Sequence, residues 1–195
     1  MKNILYFKAT RLQLVLIIVP LLGHSTGNNG GQSQEQHQAI ATSTFSETEA
    51  HFIFAAAAIN LKEIQLGELA QQKGRMIEVK ELGKMMVDAH RKFSKELDAL
   101  AAKKLITTPT LPTDDAQNAY IKLNSKTGTD FDTEYCNMMV TGHKEAIRMF
   151  EKAAKEFVAP DIKEWITATL PQLRTHLAYA LKCQEKTGKI EITQE

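Results

Sequence analysis

Four ionisable residues stand where a helical pattern calls for apolar ones. Glu63 lies between Ile59 and Leu66, His90 between Met86 and Phe93, His143 between Met139 and Ile147, and His176 between Leu173 and Leu177. Each flanking pair belongs to a stripe of helical spacing, so each polar residue faces inward. Neutral imidazole and carboxylate suit Zn, Cu, Fe or Ni, and one Glu with three His completes a first shell for a transition-metal ion. The same residues can instead form a buried hydrogen-bonded layer that fixes helix register, with Glu63 accepting from a histidine and Asn60 assisting one turn away. The sequence leaves both readings open. No other cofactor is expected.

The two cysteines share this arrangement. Cys136 precedes His143 by seven residues and Cys183 follows His176 by seven, so on two antiparallel helices the cysteines and the histidines meet at matching heights. A Cys136–Cys183 bridge would staple the open end of that hairpin and contribute on the order of 4 kcal/mol if unstrained. Two buried thiols acting as small hydrophobes are the alternative. Met85, Met86, Met138, Met139 and Met149 have helical spacing and are expected to fill the core rather than to bind copper.

Four helices are needed to position these side chains. The first spans 46–72, with Phe52, Ala56, Ile59, Leu66 and Ala70 on one stripe and a Ser46-x-x-Glu49 capping box at its start. Gly74 in Lys73-Gly74-Arg75 ends it. The second runs over 77–103, with Val79, Met86, Phe93 and Leu100 one heptad apart. The segment 104–127 holds Pro109 and Pro112 and room for a short helix near 114–124; its length suits a crossover or a capping excursion equally. The third helix covers 129–157, burying Cys136, Met139, Ile147, Phe150, Ala154 and Phe157. After Ala159-Pro160-Asp161, the fourth covers 161–185, with Pro171 expected to kink it, and 186–195 is left as a tail.

Nothing alternates with period two, so the expected fold is an all-α four-helix bundle domain over 46–185. Counted from the turns, the four inward residues are all near mid-helix. With a rise of about 1.5 Å per residue, their heights differ by about one helical turn.

Composition bounds the function. The 195 residues carry 24 Lys and Arg against 23 Asp and Glu, which leaves no positive excess to track a nucleic-acid backbone. Lys2, Lys8 and Arg11 precede an apolar run over 12–22, too short to span a bilayer comfortably but suited to a signal peptide. Gly23 and Ser25 have the small-residue spacing of a cleavage site, which assigns 1–25 to the signal and predicts an exported protein. Residues 26–45 are rich in Gly, Asn, Gln, Ser and Thr and are expected to be a flexible polar leader, with His24 and His37 as solvated residues. The chain has no G-x-S-x-G, P-loop, C-x-x-C, H-E-x-x-H or G-x-G-x-x-G pattern, so the common catalytic motifs are missing and no enzymatic activity is expected from them.

Four ordered stretches carry a resemblance. Glu63-Ile-Gln-Leu-Gly-Glu-Leu-Ala70, Met86-Val-Asp-Ala-His90, Phe131-Asp-Thr-Glu-Tyr135 with Met139-Val-Thr-Gly-His143, and Leu170-Pro-Gln-Leu-Arg-Thr-His-Leu177 resemble the bacterial domain-of-unknown-function family DUF4142 over about residues 48–182. Its members are exported, often described as predicted outer membrane proteins, and grouped with ferritin-like bundles. The resemblance implies a ferritin-like four-helix bundle in the periplasm or peripherally associated with the outer membrane. It brings no activity and no protein partner to carry over. The family usually has Asp before the histidines of helices two and three, where this chain has Ala89 and Gly142. Ferritin-type di-iron sites use Glu-x-x-His, which occurs nowhere here, so ferroxidase or oxygenase chemistry is not expected.

Overall fold

The computed structural model describes the backbone of residues 32–156 and 159–193 and the side chains of 47–156 and 159–188. The signal-type segment lies outside the described residues, as do the side chains of His24, His37 and Phe157. Five helices follow in order, α1 (Gln32–Lys73), α2 (Ile77–Lys103), α3 (Asp114–Asn124), α4 (Gly128–Glu156) and α5 (Pro160–Thr193). The described residues contain no strand, and the fold is all-α.

Two helix ends differ from expectation. α1 begins at Gln32 rather than at the Ser46 capping box, so the helix runs back through 32–45, inside the stretch expected as a polar leader. The stretch has neither Pro nor Gly after Gly31, so a helix already nucleated by its packed portion meets no stop when it extends upstream. α5 likewise continues past Glu185, taking the expected tail to Thr193. Thr187 is fully buried and Lys186 pairs with Glu78 at 2.6 Å, which ties the extension to the start of α2. Pro171 remains inside α5. There Gln172 Nε2 donates to the Ala168 carbonyl at 3.1 Å, and Thr169 and Thr175 bond back to the preceding turn.

α1 and α2 form one antiparallel hairpin, and α4 and α5 form the other. In the first, the backbones approach so closely that a Cβ on Gly67 would stand 2.7 Å from the Gly83 carbonyl oxygen, and the reverse holds at 2.7 Å. Only glycine fits both sides of that crossing. In the second, Cys136 and Cys183 are joined in a disulfide, with Cα atoms 5.8 Å apart.

The connection between the hairpins is a crossover. It leaves α2 where Lys104 pairs with Asp161 at the start of α5, and delivers α4 to the opposite end, beside the 74–76 turn. Asp132 marks the arrival: it is fully buried, and its two carboxylate oxygens accept from the backbone N–H groups of Arg75 and Met76 at 2.9 and 2.8 Å. Met76, the N-cap of α2, has no side-chain cap of its own, so a carboxylate from α4 satisfies the orphan donors and meets the positive end of the helix dipole. Along the way α3 straps the α1–α4 side. Ala116 and Leu123 are buried under it, and the pairs Lys62–Asp115 and Lys122–Glu134, both at 2.7 Å, pin it to α1 and α4.

The core has two halves. One gathers Phe52, Phe93, Phe150, Trp165 and aliphatic neighbours; the other gathers Leu66, Met86, Met139, Tyr135 and the disulfide. Leu177 packs against both.

Candidate metal centre

Where the two halves meet, the four inward-facing residues are all buried, Glu63 at 3% exposure, His90 at 1%, His143 at 1% and His176 at 4%. α2, α4 and α5 each supply one imidazole because the apolar stripe on each is interrupted once, at the same height. The three rings face one another, with centroids 5.8 Å apart for His90–His143, 5.5 Å for His90–His176 and 5.4 Å for His143–His176. Their ligand-competent nitrogens all lie within 4.8 Å of one another. Nitrogens bound to one ion at about 2.0–2.1 Å stand about 3.4 Å apart in a tetrahedral shell, so the nitrogens need close by at most about 1.4 Å.

Two of the rings have a defined tautomer. His143 Nδ1 lies 2.9 Å from the Met139 carbonyl, which only accepts, so Nδ1 carries the proton and Nε2 the lone pair. His90 Nδ1 donates to Asn60 Oδ1 at 2.9 Å, with the same result. Such outer contacts fix ring orientation in histidine metal sites. The inward nitrogens, His90 Nε2, His143 Nε2 and His176 Nδ1, have no hydrogen-bond partner. Burial keeps the charged form out: His90 is held well below the usual histidine range by desolvation and then by its histidine neighbours, and His176 is pushed down to about 4, chiefly by desolvation. Neutral imidazole is the form that binds metal.

Glu63 stands outside this close set. Its Oε1 lies 3.2 Å from where a Cβ on Gly142 would be, beside His143, and its buried Oε2 has no partner. Burial raises its pKa, and His143 and Lys62 pull it back. Tyr135, which the sequence reading passed over, is fully buried with an unpartnered hydroxyl, and its pKa is driven well above 10.0 by desolvation and then by Glu63. Its only signal was its place in the Phe131–Tyr135 stretch, as was that of Asp132.

An all-α fold with a buried tri-histidine cluster at mid-core defines the class of molecule. Residues 34–182 match the family described as domain of unknown function (DUF4142), and the chain belongs to that family. No curated protein and no solved structure matches it.

Proposed function

We propose that this chain is an exported ferritin-like four-helix bundle of the bacterial envelope whose mid-core histidines, His90, His143 and His176, bind one transition-metal ion, with Glu63 at the edge of the site. One observation carries the reading. A register-setting polar layer satisfies its own hydrogen bonds, because a buried polar atom left unpaired costs about 1–3 kcal/mol. Here three facing imidazole nitrogens and a carboxylate oxygen are all without partners; the two whose lone pairs are assigned, His90 Nε2 and His143 Nε2, cannot satisfy each other, and a single cation would satisfy the whole set.

The envelope assignment is supported by the N-terminal sequence and by a disulfide, which persists in oxidising compartments. No described helix is long and apolar enough to cross a membrane. The ferritin-like assignment is supported by the crossover, since two hairpins joined by one long connection are the arrangement of that group. Imidazole ligands suit Zn, Cu, Ni and Fe.

The test is elemental analysis and thermal unfolding of the protein purified without a histidine tag, titrated with Zn(II), Cu(II), Ni(II) and Fe(II). One equivalent of metal should bind and raise stability by about 3 kcal/mol at a free concentration near a hundred times Kd. A His143→Ala, His176→Ala double variant should lose both effects. Equal binding by the variant, or none by the wild type, would return the four residues to a structural layer in a non-catalytic envelope interaction protein.

A further inference from the structure

A metal held between four helices needs a way in, and the packing closes most sides. The α1–α2 face is shut by backbone contact at Gly67 and Gly83, the α4–α5 face is tied by the disulfide, and the groove of about 400 Å³ between α2 and α5 reaches neither Glu63 nor any of the three histidines. The α1–α4 face is different. It carries two grooves, one of about 560 Å³ reaching under α3 to Leu66, Asn118 and Met138, the other of about 330 Å³ toward Ile59, Ala146 and Met149. Both are lined by Glu63 and Gly142, and neither is lined by His90, His143 or His176. Glu63 is therefore the wall between the grooves and the histidine cluster. Gly142 leaves that wall thin, because any side chain there would press on the carboxylate.

The charges around the mouth do not repel a cation. Lys62 and Lys122 are each neutralised by an ion pair, with Asp115 and Glu134, and the remaining charged group of the shared lining is the exposed Glu145. Glu63 Oε2 is buried and unpartnered behind them.

We infer that Glu63 is a relay ligand: a divalent first-row cation enters through the α1–α4 grooves, is captured by the Glu63 carboxylate, and is passed to the three imidazoles, leaving by the same path. This rests on the metal reading above and deepens it, since a relayed site exchanges its ion as a carrier or buffer does, whereas a structural site keeps it. A carboxylate oxygen with no hydrogen bond to break can change partners at little cost. The histidines, two of them oriented by Asn60 and the Met139 carbonyl, hold the resting ion.

The experiment is stopped-flow uptake of Zn(II) and its release to a soluble chelator, with Kd measured separately, for the wild type, Glu63→Gln and Gly142→Ala. Both uptake and release should slow by about tenfold in Glu63→Gln, the scale on which groups next to a metal shell act, while Kd moves far less. Gly142→Ala, which keeps every ligand residue but crowds the Glu63 carboxylate, should slow both rates in the same sense and keeps the test decisive if Glu63→Gln does not fold. Unchanged rates in the folded variants overturn the relay. So does faster release with Kd weakened in proportion, which would make Glu63 a resident fourth ligand. A wild type that takes up none of Zn(II), Cu(II), Ni(II) and Fe(II) overturns the metal reading itself, a result visible before any variant is made.

Discussion

The two halves of the core are held together by different means. In the aromatic half, Phe52, Phe150 and Trp165 form a mutual cluster, with centroid separations of 5.1, 5.4 and 6.3 Å. Large rings fill the space between helices there, and apolar burial does the rest. In the other half the helices come closer and are tied: glycine against glycine between α1 and α2, a disulfide between α4 and α5, and Asp132 joining α4 to the 74–76 turn. The histidines lie at the seam, where one packing style gives way to the other. Polar side chains are admitted where neither rings nor backbone contact fill the centre, and grooves persist on the α1–α4 face, which neither style closes.

The aromatic half should be the more sensitive to loss of a single side chain. Phe150→Ala removes a nearly buried ring and two aromatic pairs, and should cost about 5 kcal/mol, the upper end for such truncations. Denaturant unfolding followed by Trp165, the single tryptophan, reads this half directly. A loss under about 2 kcal/mol would mean that the rings are not what holds it. In the other half, replacing both Cys136 and Cys183 by Ala opens a link across 47 residues of chain and should cost about 4 kcal/mol. Hydrogen exchange should then quicken around Cys136 and Cys183 more than around Phe150. Uniform quickening would show that the two halves unfold as one unit.

The difference between the halves also decides what could be read from the sequence. Apolar periodicity located the helices, and counting residues placed Glu63, His90, His143 and His176 at one height, because rise per residue is fixed by backbone hydrogen bonding. Lateral position is not so fixed. That Glu63 stands apart from the histidines, beside Gly142, depends on how far α1 lies from α4, which no spacing encodes. The crossover was equally illegible, since a connection of that length suits either topology; the deciding contacts, Lys104–Asp161 and Asp132 with Arg75 and Met76, join residues far apart in sequence. Gly67 and Gly83 carried no signal as a pair, because a glycine in a helix marks a close approach only once its partner is known. The Ser46 capping box misled for a local reason: it has the right residues, but no stop precedes it.

Acidification tests the seam itself. Burial depresses His176 to about 4 and holds His90 well below the 6.5 of a free histidine. The unfolded chain therefore takes up these protons first, and stability that is fully present above pH 6.5 is lost as pH falls toward about 4. His176 alone corresponds to about 3 kcal/mol. Glu63 acts in the opposite sense, because its raised pKa makes the folded state the readier to accept a proton, so it offsets part of the loss. Guanidinium unfolding of chelator-treated protein between pH 7 and 4 measures the sum. His176→Gln should flatten the profile, and a wild-type profile already flat would show that the imidazoles are solvated.

The smallest effect separates the closed face from the open one. Gly83→Ala drives a Cβ to 2.7 Å from the Gly67 carbonyl oxygen and to 2.9 Å from the Ala70 Cβ. Neither neighbour can swing aside, so the α1–α2 hairpin must spread, at a cost of about 2 kcal/mol. Gly142→Ala meets only the Glu63 Oε1, at 3.2 Å, and a carboxylate edge can rotate into the grooves beside it. Its effect on unfolding should be well under 1 kcal/mol. Equal losses at the two glycines would mean that the α1–α4 face is as rigid as the α1–α2 face and that Glu63 is not free to move. A loss confined to Gly83→Ala would leave the carboxylate as the movable part of an otherwise tightly tied half, which is what exchange through the grooves requires.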